Sequence, residues 1–224
     1  MTYNIISTGS QGNAVVINDT ILIDCGVSFK ALKSVYKQLK IVLLTHIHSD
    51  HFNKCTIKRL ATERPTLRFA CCEWLVNDLV CAGVNKQNID VLKIGVIYNY
   101  KAFKIAPVKL YHNAPNCGYR LFVGGKKIFY ATDTNTLEGI TAKNYDLYMI
   151  EANYEDDEIQ ERIRAKQEQG LFAYELNVLN NHLSKEKCDK FIYENMGEHS
   201  EYVYLHQHKD NVSLCYQKGE GDSE

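Results

Sequence analysis

The chain has 224 residues, 45% of them apolar, and its 26 Lys and Arg against 27 Asp and Glu leave a formal net charge of −1. That size and apolar content suit one sizeable hydrophobic core and exclude a disordered or low-complexity chain. The near-zero charge argues against a nucleic-acid coat protein while leaving room for a local basic patch.

In chain order, Tyr3 to Ser7, Ala14 to Asn18 and Ile21 to Asp24 predict short strands, separated by Gly9, Gly12 and Asn18-Asp19. Phe29, Leu32, Val35, Tyr36 and Leu39 recur at helical spacing, which predicts a helix over 28–39 with lysines on its other face. Ile41-Val42-Leu43-Leu44 reads as a buried strand. Lys54 to Glu63 reads as a helix closed off by Pro65, and Glu73 to Cys81 as another that stops at Gly83. Further strands are predicted over 103–111, 119–123 and 127–131, the last two joined by a Gly124-Gly125 hairpin turn. Leu147 to Ile150 and Tyr202 to Leu205 are strands as well. Between them, 156–180 is expected to be mostly helical, with Glu155-Asp156-Asp157-Glu158 at the positive end of its dipole, and Ser184 can cap a helix running to Asn195. Two similar halves, each strand-rich and then helical, predict an α/β (α+β) fold of two face-to-face sheets with helices outside. Residues 1–215 are expected to form one domain and 216–224 a polar, acidic tail.

Eight cysteines, none in a C-x-x-C pair, accompany no secretory apolar segment and no bilayer-length apolar run. They predict reduced, mostly buried thiols in a cytoplasmic protein without membrane association.

The densest chemical signal is Thr45-His46-Ile47-His48-Ser49-Asp50-His51, directly behind the Ile41–Leu44 strand. Imidazole and carboxylate donors packed so closely suit a divalent transition metal, and a tight loop behind a rigid strand can aim them at two neighbouring ions. Other donors fall at strand ends: His112 after Tyr111, Asp133 after Thr132, Glu151 after Ile150, and His206 after Leu205. His182 sits just before the helix that Ser184 caps. His208 is an alternative to His206, because it points to the same side if the strand continues. Gly9-Ser10-Gln11-Gly12-Asn13 lacks the lysine and following helix of a phosphate loop, so it reads as a tight turn beneath the site. Lys54, Lys58, Arg59, Arg64 and Arg68 could steer a nucleic-acid backbone or simply form a solvated helix face. The 15 tyrosines offer stacking surfaces for bases, although core and interface roles are commoner.

Those motifs, in order, resemble the metallo-β-lactamase fold superfamily, and within it the YycJ/WalJ branch. The resemblance runs from Ser7-Thr8-Gly9-Ser10-Gln11-Gly12-Asn13 and Leu22-Ile23-Asp24-Cys25-Gly26 through the His/Asp loop to Asn116-Cys117-Gly118, Tyr130-Ala131-Thr132-Asp133-Thr134, Ile150-Glu151-Ala152-Asn153-Tyr154, His182-Leu183-Ser184 and His206. It implies a four-layer αββα sandwich with a site for two divalent ions, Zn²⁺ or Mn²⁺, at one edge. His46, His48 and His112 would hold the first ion, Asp50, His51 and His206 the second, and Asp133 would bridge them. Asp50, Glu151 and His182 would carry catalytic roles, with His182 beside the scissile phosphate and Glu151 orienting it; Asp24 and Thr45 would support the ligands. The implied activity is a phosphodiesterase, foremost a YycJ-like DNA exonuclease using a hydroxide between the ions, with nucleic acid as partner and a homodimer as a possible assembly. The alternatives are a cyclic-nucleotide phosphodiesterase, another hydrolase of this fold, and a metal-binding protein without turnover.

Overall fold

The computed structural model describes residues 1–207; His208, Cys215 and the acidic tail lie outside them. Among the described residues, twelve strands form two six-stranded sheets. The first holds β1 (Tyr3–Ser7), β2 (Ala14–Ile17), β3 (Ile21–Ile23), β4 (Ile41–Leu43), β5 (Arg68–Cys72) and β6 (Ile89–Leu92) in that spatial order. The second holds β7 (Tyr98–Asn99), β8 (Phe103–Leu110), β9 (Asn116–Val123), β10 (Lys126–Ala131), β11 (Leu147–Glu151) and β12 (Glu201–Leu205), also in order. Each sheet is antiparallel at one side and parallel at the other: β1 to β3 pair antiparallel and β3 to β6 parallel, while β7 to β10 pair antiparallel and β10 to β12 parallel.

Every residue of β2, β3 and β4 is buried. Alternating side chains of a strand point to opposite faces, so a strand covered on both faces must be apolar throughout. Val15, Ile17, Ile23 and Leu43 face Ile105, Tyr119, Leu121, Ile128 and Met149 of the second sheet. Val16, Leu22, Val42 and Phe69 face outward against α1 (Lys54–Glu63) and α2 (Val76–Cys81), through Ile57, Leu60 and Leu79. On the far side, Phe129, Ala131, Tyr148 and Ile150 pack beneath Phe191 and Ile192 of the helix Lys185–Asn195. The order is helix, sheet, sheet, helix, the αββα sandwich that the sequence implied. The helix Asp156–Glu168, here α3, and α4 (Glu175–Asn181) close their own small cluster of Ile159, Ile163, Ala173 and Val178; the helix after them is α5. Among the described residues no helix is long and apolar enough to cross a membrane, and the seven described cysteines are all free.

Several elements differ from the sequence reading. The 28–39 segment is not an α-helix but a run of tight turns, bonded Ala31 N to Ser28 O at 3.0 Å, Val35 N to Leu32 O at 3.0 Å and Gln38 N to Val35 O at 2.9 Å. Phe29, Leu32 and Val35 are spaced by three, which is the period of a 3₁₀ coil and keeps all three on one buried face. The expected 156–180 helix breaks after Glu168. Gly170 adopts φ +68°, and the bonds Gly170 N to Gln167 O (3.0 Å) and Leu171 N to Lys166 O (2.8 Å) close a Schellman cap. Strand β5 has no counterpart in the sequence reading, because Arg68-Phe69-Ala70-Cys71-Cys72 shows no alternation of apolar and polar residues after Pro65, and the short β6 and β7 have none either.

The basic stretch after the metal loop is largely spent on structure. Arg59 lies 4.1 Å over the Phe29 ring and 3.3 Å from Glu63. Arg68 pairs with Asp90. Arg64 donates to the carbonyls of Tyr36 (2.7 Å), Leu39 (3.0 Å) and Lys37, tying the turns of 28–39 to the end of α1. Charged donors make the stronger hydrogen bonds, so Arg64→Ala should lower stability by about 2 kcal/mol in urea denaturation. Arg64→Lys should recover less than half of that loss, because a single ammonium cannot span three carbonyls in fork geometry.

Candidate metal centre

Every sequence-predicted donor that lies within the described residues converges on one edge, where strands end. Asp24 follows β3, the His/Asp loop follows β4, His112 follows β8, Asp133 follows β10, Glu151 ends β11, and His206 follows β12. The carboxyl ends of parallel strands are the usual place for a ligand crevice in an open sheet, because the loops there are held by a rigid scaffold.

The His/Asp loop is seated on the turn after β3. Cys25 N–H donates to His51 O at 2.9 Å, Asn53 N–H to Cys25 O at 2.8 Å, and Asn13 N–H to Asp50 O at 2.6 Å. This contact needs a glycine at position 26. A Cβ there would lie 1.7 Å from Asp50 O and 2.7 Å from His51 N, so any side chain would push the loop off its seat.

Three donor groups share Asp133: one with His46, His48 and His112, one with Asp50, His51 and His206, and one with Glu151, His182 and His206. In the first, His46 Nε2 and His112 Nε2 lie 3.1 Å and 3.2 Å from His48 Nδ1, and His46 Nε2 lies 3.1 Å from Asp133 Oδ2. In the second, His51 Nε2 is 3.0 Å from Asp133 Oδ2, His206 Nε2 is 3.5 Å from Asp133 Oδ1, and both nitrogens are within 3.5 Å of Asp50 Oδ2. His208 lies outside the described residues, whereas His206 is buried in the site.

Partners behind the imidazoles set which nitrogen faces inward. His112 Nδ1–H donates to Asn181 O at 2.9 Å and His51 Nδ1–H to Asp24 Oδ2 at 2.7 Å, which turns each Nε2 toward the site. Asp24 is itself held by the Thr45 N–H (3.0 Å) and hydroxyl (2.9 Å) and by the Tyr130 hydroxyl (3.3 Å).

Burial lowers the pKa of His46, and pushes His112 down to about 4, so both present neutral lone pairs. At His51, burial is outweighed by the Asp133 and Asp24 carboxylates, which raise its pKa well above the ordinary value. At His206, burial is outweighed by Asp133, Asp50 and Glu151, which raise it to about 10. Burial would raise Asp133, but the His51 and His206 charges hold it well below the usual carboxylate range. In the second group, protons therefore occupy donor positions that a cation would take.

The residues fit a pair of divalent cations. Asp133 Oδ1 is buried without a hydrogen-bond partner, and the first group turns three imidazole nitrogens toward one another. Asp24, Asp133 and His206 all sit at positive φ (59°, 56° and 51°) where their strands stop, so strained backbone accompanies three of the donor-bearing strand ends. His46, His48, His112 and Asp133 would hold one ion, and Asp50, His51, His206 and Asp133 the other; the mixed nitrogen and oxygen set suits Zn²⁺ or Mn²⁺.

A family model described as a β-lactamase superfamily domain matches residues 19–177. The chain belongs to the β-lactamase superfamily. Its fold is the metallo-β-lactamase fold of several solved structures. The metallo-β-lactamase fold protein YhfI from Bacillus subtilis superposes with TM-score 0.71 at 17% identity, over 94% of this chain and 87% of that one. Human tRNase Z, short form, gives 0.65 at 14% identity over 92% and 93%, and Zn²⁺-bound PqqB from Methylobacterium extorquens gives 0.61 at 12% over 92% and 89%. By sequence, the chain is 20% identical over 168 residues to the exodeoxyribonuclease YycJ of Bacillus anthracis, covering 68% of this chain but only 63% of that relative.

Sequence reading left some residues of this superfamily site without a role. Asn13 is buried, and its amide lies 2.8 Å from His51 Nε2 and 3.3 Å from Asp50 Oδ2. Thr8 Oγ1 accepts the His206 N–H at 2.7 Å, and Asn153 donates to His206 O at 2.9 Å. Asn116 donates to Thr132 O (3.0 Å) and Asp133 O (2.6 Å), anchoring the strained Asp133 backbone. Asn13, Thr8, Asn116 and Asn153 lie inside motifs quoted from the sequence, but their partners are distant in the chain.

Asp24→Asn removes the charge behind His51 and leaves the Thr45 contacts. It should weaken binding of one of two Zn²⁺ equivalents by about 10- to 100-fold while the other stays bound, as read by competition with a chromogenic chelator.

Proposed function

We propose that this protein is a two-metal phosphodiesterase acting on nucleic acid, most like the YycJ-type DNA exonucleases. Superfamily membership supports the coarser reading, a metal-dependent hydrolase. The observation that favours phosphoesters is the His182–Glu151 pair. His182 lies outside the two groups assigned to the ions above and shares the third with Glu151, Asp133 and His206, and its Nδ1–H donates to Glu151 Oε1 at 2.6 Å. Glu151 is fully buried at the end of β11, and its Oε2 accepts from the Thr134 N–H (3.0 Å) and the Leu183 N–H (3.3 Å). Burial would raise its pKa, but the His182 and His206 contacts lower it, so it remains an ionised acceptor.

The backbone fixes this pair. Asn153 N–H donates to Leu183 O at 2.9 Å and Lys185 N–H to Tyr154 O at 2.8 Å, so the segment after β11 carries His182 into position. With Nδ1 engaged, Nε2 of the half-buried His182 ring is left to hydrogen-bond a phosphate oxygen or protonate a leaving alkoxide. When bound, two divalent ions supply Lewis acidity toward water and a phosphoryl oxygen. A histidine outside the metal ligands would suit alkoxide departure from phosphorus, which needs a proton.

The test is hydrolysis of bis(p-nitrophenyl) phosphate by protein stripped and reloaded with Mn²⁺ or Zn²⁺. Turnover abolished by EDTA is expected, and His182→Ala should lose at least 100-fold in kcat with metal content kept. Absence of turnover with metal bound would remove the phosphodiesterase reading. Single- and double-stranded DNA set against cyclic mononucleotides then separate a nuclease from the cyclic-nucleotide alternative.

A further inference from the structure

A cleft of about 400 Å³ opens beside the metal centre and shares His112 with it. Its other walls include Trp74, Ile94, Lys109, Tyr111 and Pro115. Its size falls within the range of small-ligand sites, and its mixture of apolar faces and few polar groups matches theirs. Tyr111 is 47% and Ile94 39% exposed, so these side chains offer surface that the core does not use. Lys109 places Nζ 5.1 Å from the centre of the Tyr111 ring, adding a cation to the aromatic wall.

Both aromatics are anchored to the metal centre. The Trp74 indole N–H donates to Thr45 O at 3.4 Å, one residue before His46. Tyr111 N–H donates to Thr134 Oγ1 at 3.1 Å, and Tyr111 O accepts the Asn135 N–H at 2.9 Å, just after Asp133. The Trp74 indole and the Tyr111 backbone are thus each tied to the segments that carry the site residues.

Flat apolar faces, one cation and a direct opening onto a phosphate-handling centre are complementary to a nucleoside phosphate. We infer that this cleft is the subsite for the nucleobase adjoining the scissile phosphate: the base stacks between Trp74 and Tyr111, and Lys109 engages a neighbouring phosphate. Stacking on π-faces accepts any base, so the subsite selects nucleotides over simple phosphodiesters without reading sequence. This inference rests on the phosphodiesterase reading above and names the substrate class of that site.

Trp74 is the single tryptophan of the chain, so its fluorescence reports on this cleft without interference. The Zn²⁺-loaded protein is titrated with adenosine 5′-monophosphate, thymidine 5′-monophosphate and ribose 5-phosphate. Both nucleotides should quench Trp74 saturably, and ribose 5-phosphate should leave its emission unchanged. Tyr111→Ala should weaken nucleotide binding about tenfold, and Tyr111→Phe should restore it. Equal quenching by ribose 5-phosphate, no quenching by either nucleotide, or wild-type affinity in Tyr111→Ala would overturn the subsite. Base-dependent quenching without bis(p-nitrophenyl) phosphate turnover would support the subsite and sink the phosphodiesterase reading; turnover without base-dependent quenching would do the reverse.

Discussion

The Asp133 carboxylate is buried at the edge of the sandwich, where His46, His51, His112 and His206 approach it at 3.1, 3.0, 3.8 and 3.5 Å. A buried carboxylate is tolerated only with compensating charge and hydrogen bonds. Here the compensation comes from three separate chain segments, the loop that carries His46 and His51 and the strand ends that carry His112 and His206. The carboxylates around His51 and His206 raise the pKa of both imidazoles; a pair of cations would supply positive charge at the same place and could engage Asp133 Oδ1, which has no hydrogen-bond partner. The same electrostatic demand thus couples completion of the fold at this edge to occupation of the site.

The sandwich meets that demand with rigid parts. Parallel strands from both sheets deliver their carboxyl ends to one edge, so the first sheet brings Asp24 and the His/Asp loop, and the second brings His112, Asp133, Glu151 and His206. Close approach of the loop carrying Asp50 depends on a missing side chain at Gly26. Left-handed backbone at Asp24, Asp133 and His206 turns those side chains inward where each strand stops. Such conformations persist only when their surroundings hold them. Asn116 grips the Asp133 carbonyl, Asn153 the His206 carbonyl, and Thr45 the Asp24 carboxylate.

Around this centre the chemistry is layered. Asp24, Asn181 O and Glu151 orient imidazoles without being donors to either metal group. His182 stands outside both groups, on the segment that β11 locks in place. The cleft bounded by Trp74 and Tyr111 continues the same edge outward, which gives the proposed chemistry at phosphorus an adjoining surface for a flat aromatic ligand. By contrast, Arg59, Arg64 and Arg68 of the basic stretch are engaged in packing and pairing, whereas Lys54 and Lys58 are exposed.

What the sequence determined by itself was the chemistry and its order: four donors crowded behind one apolar strand, single donors after later strands, and alternation or continuous apolarity marking which strands are buried. Those signals are local, and the two-layered sheet core follows from them. Tertiary structure alone decided what depends on contacts between distant segments. It turned 28–39 into 3₁₀-like turns, because residues spaced by three pack equally well on that tighter coil and Arg64 caps its carbonyls. It divided the 156–180 segment at Gly170, where a left-handed residue completes the cap. It assigned Asn13, Thr8, Asn116 and Asn153 their partners, and brought Trp74 and Tyr111 to the walls of one cleft. Amide and hydroxyl groups carry no periodicity, so only the folded chain shows what each of them holds.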